Sequence, residues 1–222
     1  MTNPYGFPDY VIERVMAKRG RLIVYDRFEP AKTALLVIDM QNFYVGEIPG
    51  VLAIIPQINL LARTLRRRGG MVFWLGMSAG ANGKSDWPLY HDHFFTPAKG
   101  DNHRDQLSPG HHGHAFHAAL EIEAGDRIVY KNRFSPFVPR ASNLDELLRA
   151  QGIENLIITG TATNMCCESA ARDAMMMDYR VIMAADANGA RYEEDHIAGL
   201  TSFYQSFGDV RLTREIVESV LA

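Results

Sequence analysis

The chain has little cysteine: two in 222 residues, Cys166 and Cys167, and they are neighbours. A disulfide between adjacent residues is too strained to serve as a framework, so both read as reduced thiols, packed or reactive. Long hydrophobic runs are missing as well. None approaches the roughly 20 apolar residues that a membrane span needs, and the opening MTNPYGFPDY lacks the basic region and apolar core of a secretory signal. The expectation is a cytoplasmic protein. Nor does one sign of charge dominate: 23 Lys plus Arg stand against 26 Asp plus Glu, scattered along the chain, for a formal charge of -3. That gives no reason to expect nucleic acid or an anionic membrane as partner. Repeats and low-complexity linkers are absent. With 47% hydrophobic and 22% charged residues, what remains is an ordinary globular composition. It reads as one domain, residues 31–222, behind an N-terminal arm of residues 1–30.

What the chain does have is strand-length apolar runs alternating with helical patterns. Residues 33–39 (TALLVID) are continuously apolar and close on an acid, which suits a strand buried on both faces. Residues 71–77, 127–131, 155–159, 180–185 and 209–212 repeat the signal. Between them, Ile58, Leu61, Ala62 and Leu65 share one helical face after Pro56, and Arg66, Arg67, Arg68 and Gly69 mark its end. Leu144, Leu147 and Leu148 form a second stripe, opened by Asn143 and Glu146 as a capping box and closed by Gly152. Ile197, Leu200, Tyr204 and Phe207 make a third over residues 193–207, and an N-terminal helix over residues 9–19 stops at Gly20. Residues 78–113 carry Gly, Asn, Pro and His with little periodicity and read as a long loop, functional or flexible. The alternation predicts an α/β fold: a doubly wound, mainly parallel six-stranded sheet with helices on both faces. In such sheets ligands bind outside the carboxyl ends of the strands.

Three titratable residues stand at those ends: Asp39 after the first strand, Lys131 closing the third and Cys166 just beyond the fourth. Cys166 opens a helix, where backbone N–H groups lack partners and favour negative charge. With a lysine cation nearby, a thiol pKa can fall from about 8.5 to about 3.5–7.5, so the sequence predicts a thiol that ionises readily. Asp39, held by the same lysine, can take the thiol proton and pass it to a leaving amine.

The segments ALLVIDMQNFY, IVYKNRFSPF and GTATNMCCESAARDA, in that order and separation, resemble the isochorismatase-like superfamily of cysteine hydrolases. That superfamily includes nicotinamidase, N-carbamoylsarcosine amidohydrolase and ureidoacrylate amidohydrolase. The resemblance covers residues 33–212 and is nearest to the ureidoacrylate branch, through the ESAARDA helix and residues 131–137. It implies that Asp39, Lys131 and Cys166 match the family's catalytic Asp, Lys and Cys, with Cys166 the nucleophile and Cys167 a packing residue. It also implies a cis peptide between Thr161 and Ala162, aiming the N–H groups of Ala162 and Cys166 at an oxyanion. The activity implied is cleavage of the C–N bond of a small linear amide, ureido or carbamoyl compound through a thioester. No cofactor is implied, and the assembly implied is a homo-oligomer, dimer or tetramer. Three alternatives stand beside it: vinyl ether hydrolysis of the isochorismatase type, a nicotinamidase-like enzyme, and an inactive binding protein on the same fold.

Substrate contacts are expected from Asn42 and Phe43 after the acid, Trp74 from the second strand, Phe137, and Arg133, two residues beyond Lys131 and a candidate to hold a carboxylate. Core packing is the alternative for Phe43 and Trp74, and a solvated loop for Arg133; Arg140 is a weaker candidate of the same kind. Asp186 reads as a second carboxylate of the cleft or as a cap for the next segment. Met175, Met176 and Met177 read as helix core or a subunit contact. Nicotinamidases hold zinc or iron through an Asp and histidines in the loop after the second strand, and HDH at 91–93 resembles that set. Its order and spacing do not match, so His91, His93, His103, His111, His112, His114 and His117 are expected to be solvent-exposed, with no metal assigned.

Overall fold

The structure, a computed structural model, describes residues 5–80 and 85–222. The apolar runs pair into one parallel sheet of six strands: β1 (Thr33–Ile38), β2 (Met71–Met77), β3 (Arg127–Lys131), β4 (Asn155–Thr161), β5 (Arg180–Gly189) and β6 (Asp209–Arg211). Their order is β3-β2-β1-β4-β5-β6. Chain winding therefore reverses between β1 and β4, and a crevice opens at their carboxyl ends. Both faces of the sheet are covered. On one, Ala34, Leu36 and Ile38 pack with α6 (Leu144–Ala150), α7 (Glu168–Met176) and α8 (Glu193–Ser206). On the other, Leu35, Val37 and Ile157 pack with Ile58, Leu61 and Leu65 of α3 (Ile55–Arg67) and with Ile216 and Val220 near the C-terminus. Alternate residues of β1 thus serve opposite cores, which is why the strand reads as unbroken hydrophobicity.

The N-terminal residues do not stand apart from this core. Helix α1 (Asp9–Arg19), ended by Gly20 in the left-handed conformation, buries Val11 and Val15 in the α8 side of the core. Phe7 stacks on Tyr204, their ring centroids 5.1 Å apart. Further on, Asp209 accepts hydrogen bonds from the N–H groups of Val24 and Tyr25, and Phe28 lies in the opposite core.

Four expectations change in the folded chain. Of residues 78–113, those outside 81–84 are described, and they form no plain loop: α4 (Pro88–His93) and α5 (Pro97–Gln106) each start on a proline, and neither presents an apolar stripe that sequence periodicity would detect. Strand β5 runs four residues past the apolar stretch, because Asn188 donates to the carbonyls of Ile158 and Ala184 where the β4–β5 register shifts. The capping box at α6 is not made; Ser142 Oγ accepts the Leu144 N–H instead, at 3.2 Å. Trp74 lies in the α3-side core with no exposure, its Nε1 donating to Asp126 Oδ2 at 2.8 Å, so it packs rather than meeting a ligand. Among the described residues no helix is long and apolar enough to cross a membrane.

Candidate active site

Asp39 leaves β1 with φ 53°, a left-handed conformation that Asp tolerates better than most non-glycine residues. Its N–H donates to Leu75 O at 2.7 Å, which pins the backbone while the carboxylate faces the crevice. Beside it, β4 carries Gly160, φ 111°, one residue before its end, where a Cβ would lie 2.1 Å from the carbonyl oxygen of Ile38. Only glycine allows the two strands this approach. The Thr161–Ala162 peptide is cis, and a single π-helical turn, Thr163–Cys167, then leads into α7. Helix α8 backs that turn closely: a Cβ on Gly199 would sit 2.9 Å from Asn164 Cα, and His196 Nδ1 lies 2.8 Å from Thr163 Oγ1.

Lys131 arrives from β3 with its side chain wholly buried. Its ammonium donates to Asp39 Oδ2 at 2.8 Å and to the Arg133 carbonyl at 3.2 Å, and lies 3.5 Å from Cys166 Sγ. Each of its three hydrogens has an acceptor. Asp39 Oδ1, also buried, makes no hydrogen bond within the described residues. Burial acts against the Lys131 cation, but its interactions with Asp39 and Cys166, the Asp39 charge first, outweigh it and hold the lysine above its ordinary pKa. The thiol behaves otherwise than its helix-start position suggests. Burial pushes Cys166 up, the Asp39 carboxylate pushes it further, and Lys131 offsets only part, so the resting group is a neutral thiol. Cys167 is fully buried as well, its Sγ turned to the Thr159 carbonyl at 3.9 Å.

Asp39, Ala162 and Cys166 floor a cavity of about 610 Å³. Phe43 and Tyr44 of α2 (Asn42–Glu47) form one wall; Tyr90, Phe95 and His103, carried by α4, α5 and their connection, form another. The lining also carries the charged residues Glu47, Lys99, Arg191 and Asp195, and Arg191 pairs with Glu47 at 3.7 Å. Of the residues expected to contact substrate, Phe43 lines the cavity. Asn42 Nδ2 donates to the His112 carbonyl, and Phe137 packs on Tyr179. Arg133 lies over the Trp87 ring at 4.9 Å and donates to the Asp86 carbonyl, outside the cavity lining. Arg140 is exposed, and Asp186 accepts from the N–H and hydroxyl of Thr213, capping the short helix α9 (Thr213–Glu215). Of the three methionines, Met175 and Met177 pack on the core and Met176 is exposed. Sequence reading missed Tyr44, Tyr90, Lys99 and Arg191, and it named His103 only among the histidines expected to be exposed. Only Tyr44 carried a usable signal, being one residue beyond Phe43.

Three of the loop histidines are buried, against expectation: His114 stacks on Tyr130 at 4.5 Å, and His91 Nε2 lies 3.0 Å from His103 Nδ1. Burial, His91 and Arg104 bring the His103 pKa down to about 4, and burial lowers His91 too. An imidazole whose pKa falls on folding stabilises the folded state above its unfolded pKa of about 6.5 and loses that contribution as pH falls toward its folded value. Between pH 6.5 and 4 the loss at His103 is expected to reach about 3 kcal/mol. Urea unfolding at pH 7 and pH 4 checks it: the wild type should lose more stability than His103→Gln, and equal losses would refute it.

The isochorismatase domain profile matches residues 33–215. A ureidoacrylate amidohydrolase RutB of Methylobacterium radiotolerans is 29% identical over 94% of this chain and 87% of its own length. One from Rhizobium rhizogenes is 33% identical over 72% of this chain and 71% of its own. Among solved structures, a cysteine hydrolase from Pseudomonas syringae pv. phaseolicola superposes with a TM-score of 0.76 at 27% identity, covering 87% of this chain and 95% of that one. An N-carbamoylsarcosine amidase from Thermoplasma acidophilum gives 0.66 at 25% identity, covering 82% and 96%. Profile, relatives and an all-parallel sheet in this strand order agree: the chain belongs to the isochorismatase family of hydrolases.

Proposed function

We propose that the protein is a cysteine amidohydrolase that cleaves the C–N bond of a small linear amide or ureido compound through a thioester on Cys166. The observation that carries the reading is Lys131 Nζ placed 2.8 Å from Asp39 Oδ2 and 3.5 Å from Cys166 Sγ, the two residues of the three that line the cavity. The thiol rests neutral because ionising it to solvent would add a second buried anion beside Asp39. Transfer of its proton to Asp39 Oδ1 avoids that cost: the anion moves from oxygen to sulfur, Lys131 stays within reach, and the net charge of the three groups is unchanged. The thiolate then attacks the carbonyl carbon, and the N–H groups of Ala162 and Cys166 receive the oxyanion, each donor being worth about 2.7–4 kcal/mol. On collapse the C–N bond breaks and the departing nitrogen takes the proton from Asp39. Water, giving a proton back to Asp39, cleaves the thioester, and the released sulfur recovers that proton.

The amidohydrolase relatives support the reaction class. We read the protein as cytoplasmic, and as a dimer or tetramer. The exposed apolar residues Ile128 and Tyr130 on edge strand β3 support the assembly, which light scattering tests. The function itself is tested by ammonia release over primary amides, ureido acids and carbamoyl amino acids, with acid-quenched reactions weighed for an acyl adduct. An adduct on Cys166 with ammonia release is expected. Release of ammonia from none of them, or vinyl ether cleavage that survives loss of the thiol, would end this reading.

A further inference from the structure

A line of hydrogen bonds runs from the cavity wall into the helices above it, and none of the steps given so far uses it. Tyr44 Oη lies 3.3 Å from His103 Nε2, and His103 Nδ1 lies 3.0 Å from His91 Nε2. His91 Nδ1 in turn lies 3.1 Å from the Trp87 carbonyl and 2.5 Å from Ser85 Oγ. The Trp87 carbonyl can only accept and the Ser85 hydroxyl can do either, so the tautomer that serves both contacts places a hydrogen on His91 Nδ1. Both rings are held neutral by burial, which gives each a single N–H. The other assignments follow in sequence. His91 Nε2 accepts from His103 Nδ1–H, and His103 Nε2 accepts the Tyr44 O–H. In that tautomer the direction of the whole line is set by the Trp87 carbonyl, which cannot change role.

The consequence falls on the cavity. Tyr44 lines it together with Asp39 and Cys166, and the one hydrogen of its phenol is already committed to His103. Burial and the nearby Asp39 and Cys166 raise the phenol well above its ordinary pKa, so it stays neutral. What it offers a bound molecule is oxygen lone pairs alone. Taking the amidohydrolase reading as its basis, we propose that Tyr44 is a specificity-determining residue. Its oxygen accepts a hydrogen bond from a substrate N–H, and the site thereby selects primary amides and ureido compounds over esters of the same acyl group. His103 is the positioning residue that keeps the phenol turned to accept. An ester oxygen brings no hydrogen and would set its lone pairs against those of Tyr44, leaving a buried acceptor unpaired.

The test compares the most active primary amide with the methyl ester of the same acid, on the full-length protein. Tyr44→Phe is expected to lower kcat/KM for the amide by about 10- to 100-fold and to leave the ester within about 3-fold. The ester rate doubles as a check that the variant is folded. His103→Leu should erode amide preference in the same direction. His103→Gln should restore much of it, since its carbonyl can accept from Tyr44 and its amide can donate to His91. Parallel loss on amide and ester, or an unchanged ratio in Tyr44→Phe, would overturn the proposal while leaving the amidohydrolase reading intact. A wild type that hydrolyses no amide overturns both.

Discussion

Cys166→Ala is expected to lose amide cleavage by about 10³- to 10⁶-fold, the range seen when a covalent nucleophile is removed from a preorganised site. Its folded stability should change little. Cys166 sits at the cavity floor with 6% of its surface exposed, so removing one sulfur enlarges a space that already exists instead of opening a sealed void. Cys167→Ala is the matched control. That side chain has no exposure, packs in the core around α7 and points its sulfur at the Thr159 carbonyl, so truncation should cost about 1–2 kcal/mol of stability and spare turnover. Ammonia release and thermal melting on both variants separate the roles. Full activity in Cys166→Ala would remove the thioester from the mechanism; a stable but inactive Cys167→Ala would move the nucleophile by one residue.

Lys131→Met carries the second large effect, and here stability and activity should fall together. Asp39 is 1% exposed, and the lysine ammonium is the hydrogen-bond partner of its Oδ2; its Oδ1 has none among the described residues. Removing the cation leaves a buried carboxylate without compensation, which typically costs about 3–5 kcal/mol. For a chain of this size that corresponds to a melting temperature lower by roughly 6–20 °C. Asp39→Asn combined with Lys131→Met removes both charges, and asparagine accepts the left-handed backbone at this position. The double variant should recover most of the stability and none of the turnover. Calorimetry on the single and double variants measures the coupling; additive losses would show that the pair does not act as a unit.

Much of the architecture was legible because it is written in local pattern. β1, β2 and β4 lie between helices on both faces, so their burial shows as continuous runs such as TALLVID and MVFWLGM. The strand ends then located Asp39, Lys131 and Cys166, because a doubly wound sheet brings those ends to one side. The legibility stops where contacts replace periodicity. Helices α4 and α5 have no apolar stripe; they are held through Tyr90, Phe95 and His103 packing on one another, partners that are distant or irregularly spaced in sequence. Arg133 shows the same limit. Two residues past Lys131 it would share that side chain's direction if β3 continued, but β3 ends at Lys131 and the guanidinium turns to Trp87.

By itself, then, the sequence determined the sheet, its winding and the three titratable groups at its carboxyl edge. Tertiary structure decided their chemistry. A cysteine at a helix start beside a lysine reads as an ionised thiol, yet Cys166 rests neutral, since depth of burial and the proximity of Asp39 outweigh the cation. It likewise placed the Tyr44 phenol at the end of a line of contacts that runs through two buried histidines to the Trp87 carbonyl. Burial depth and distances between strand ends set these balances, and neither is a property of any local stretch of chain.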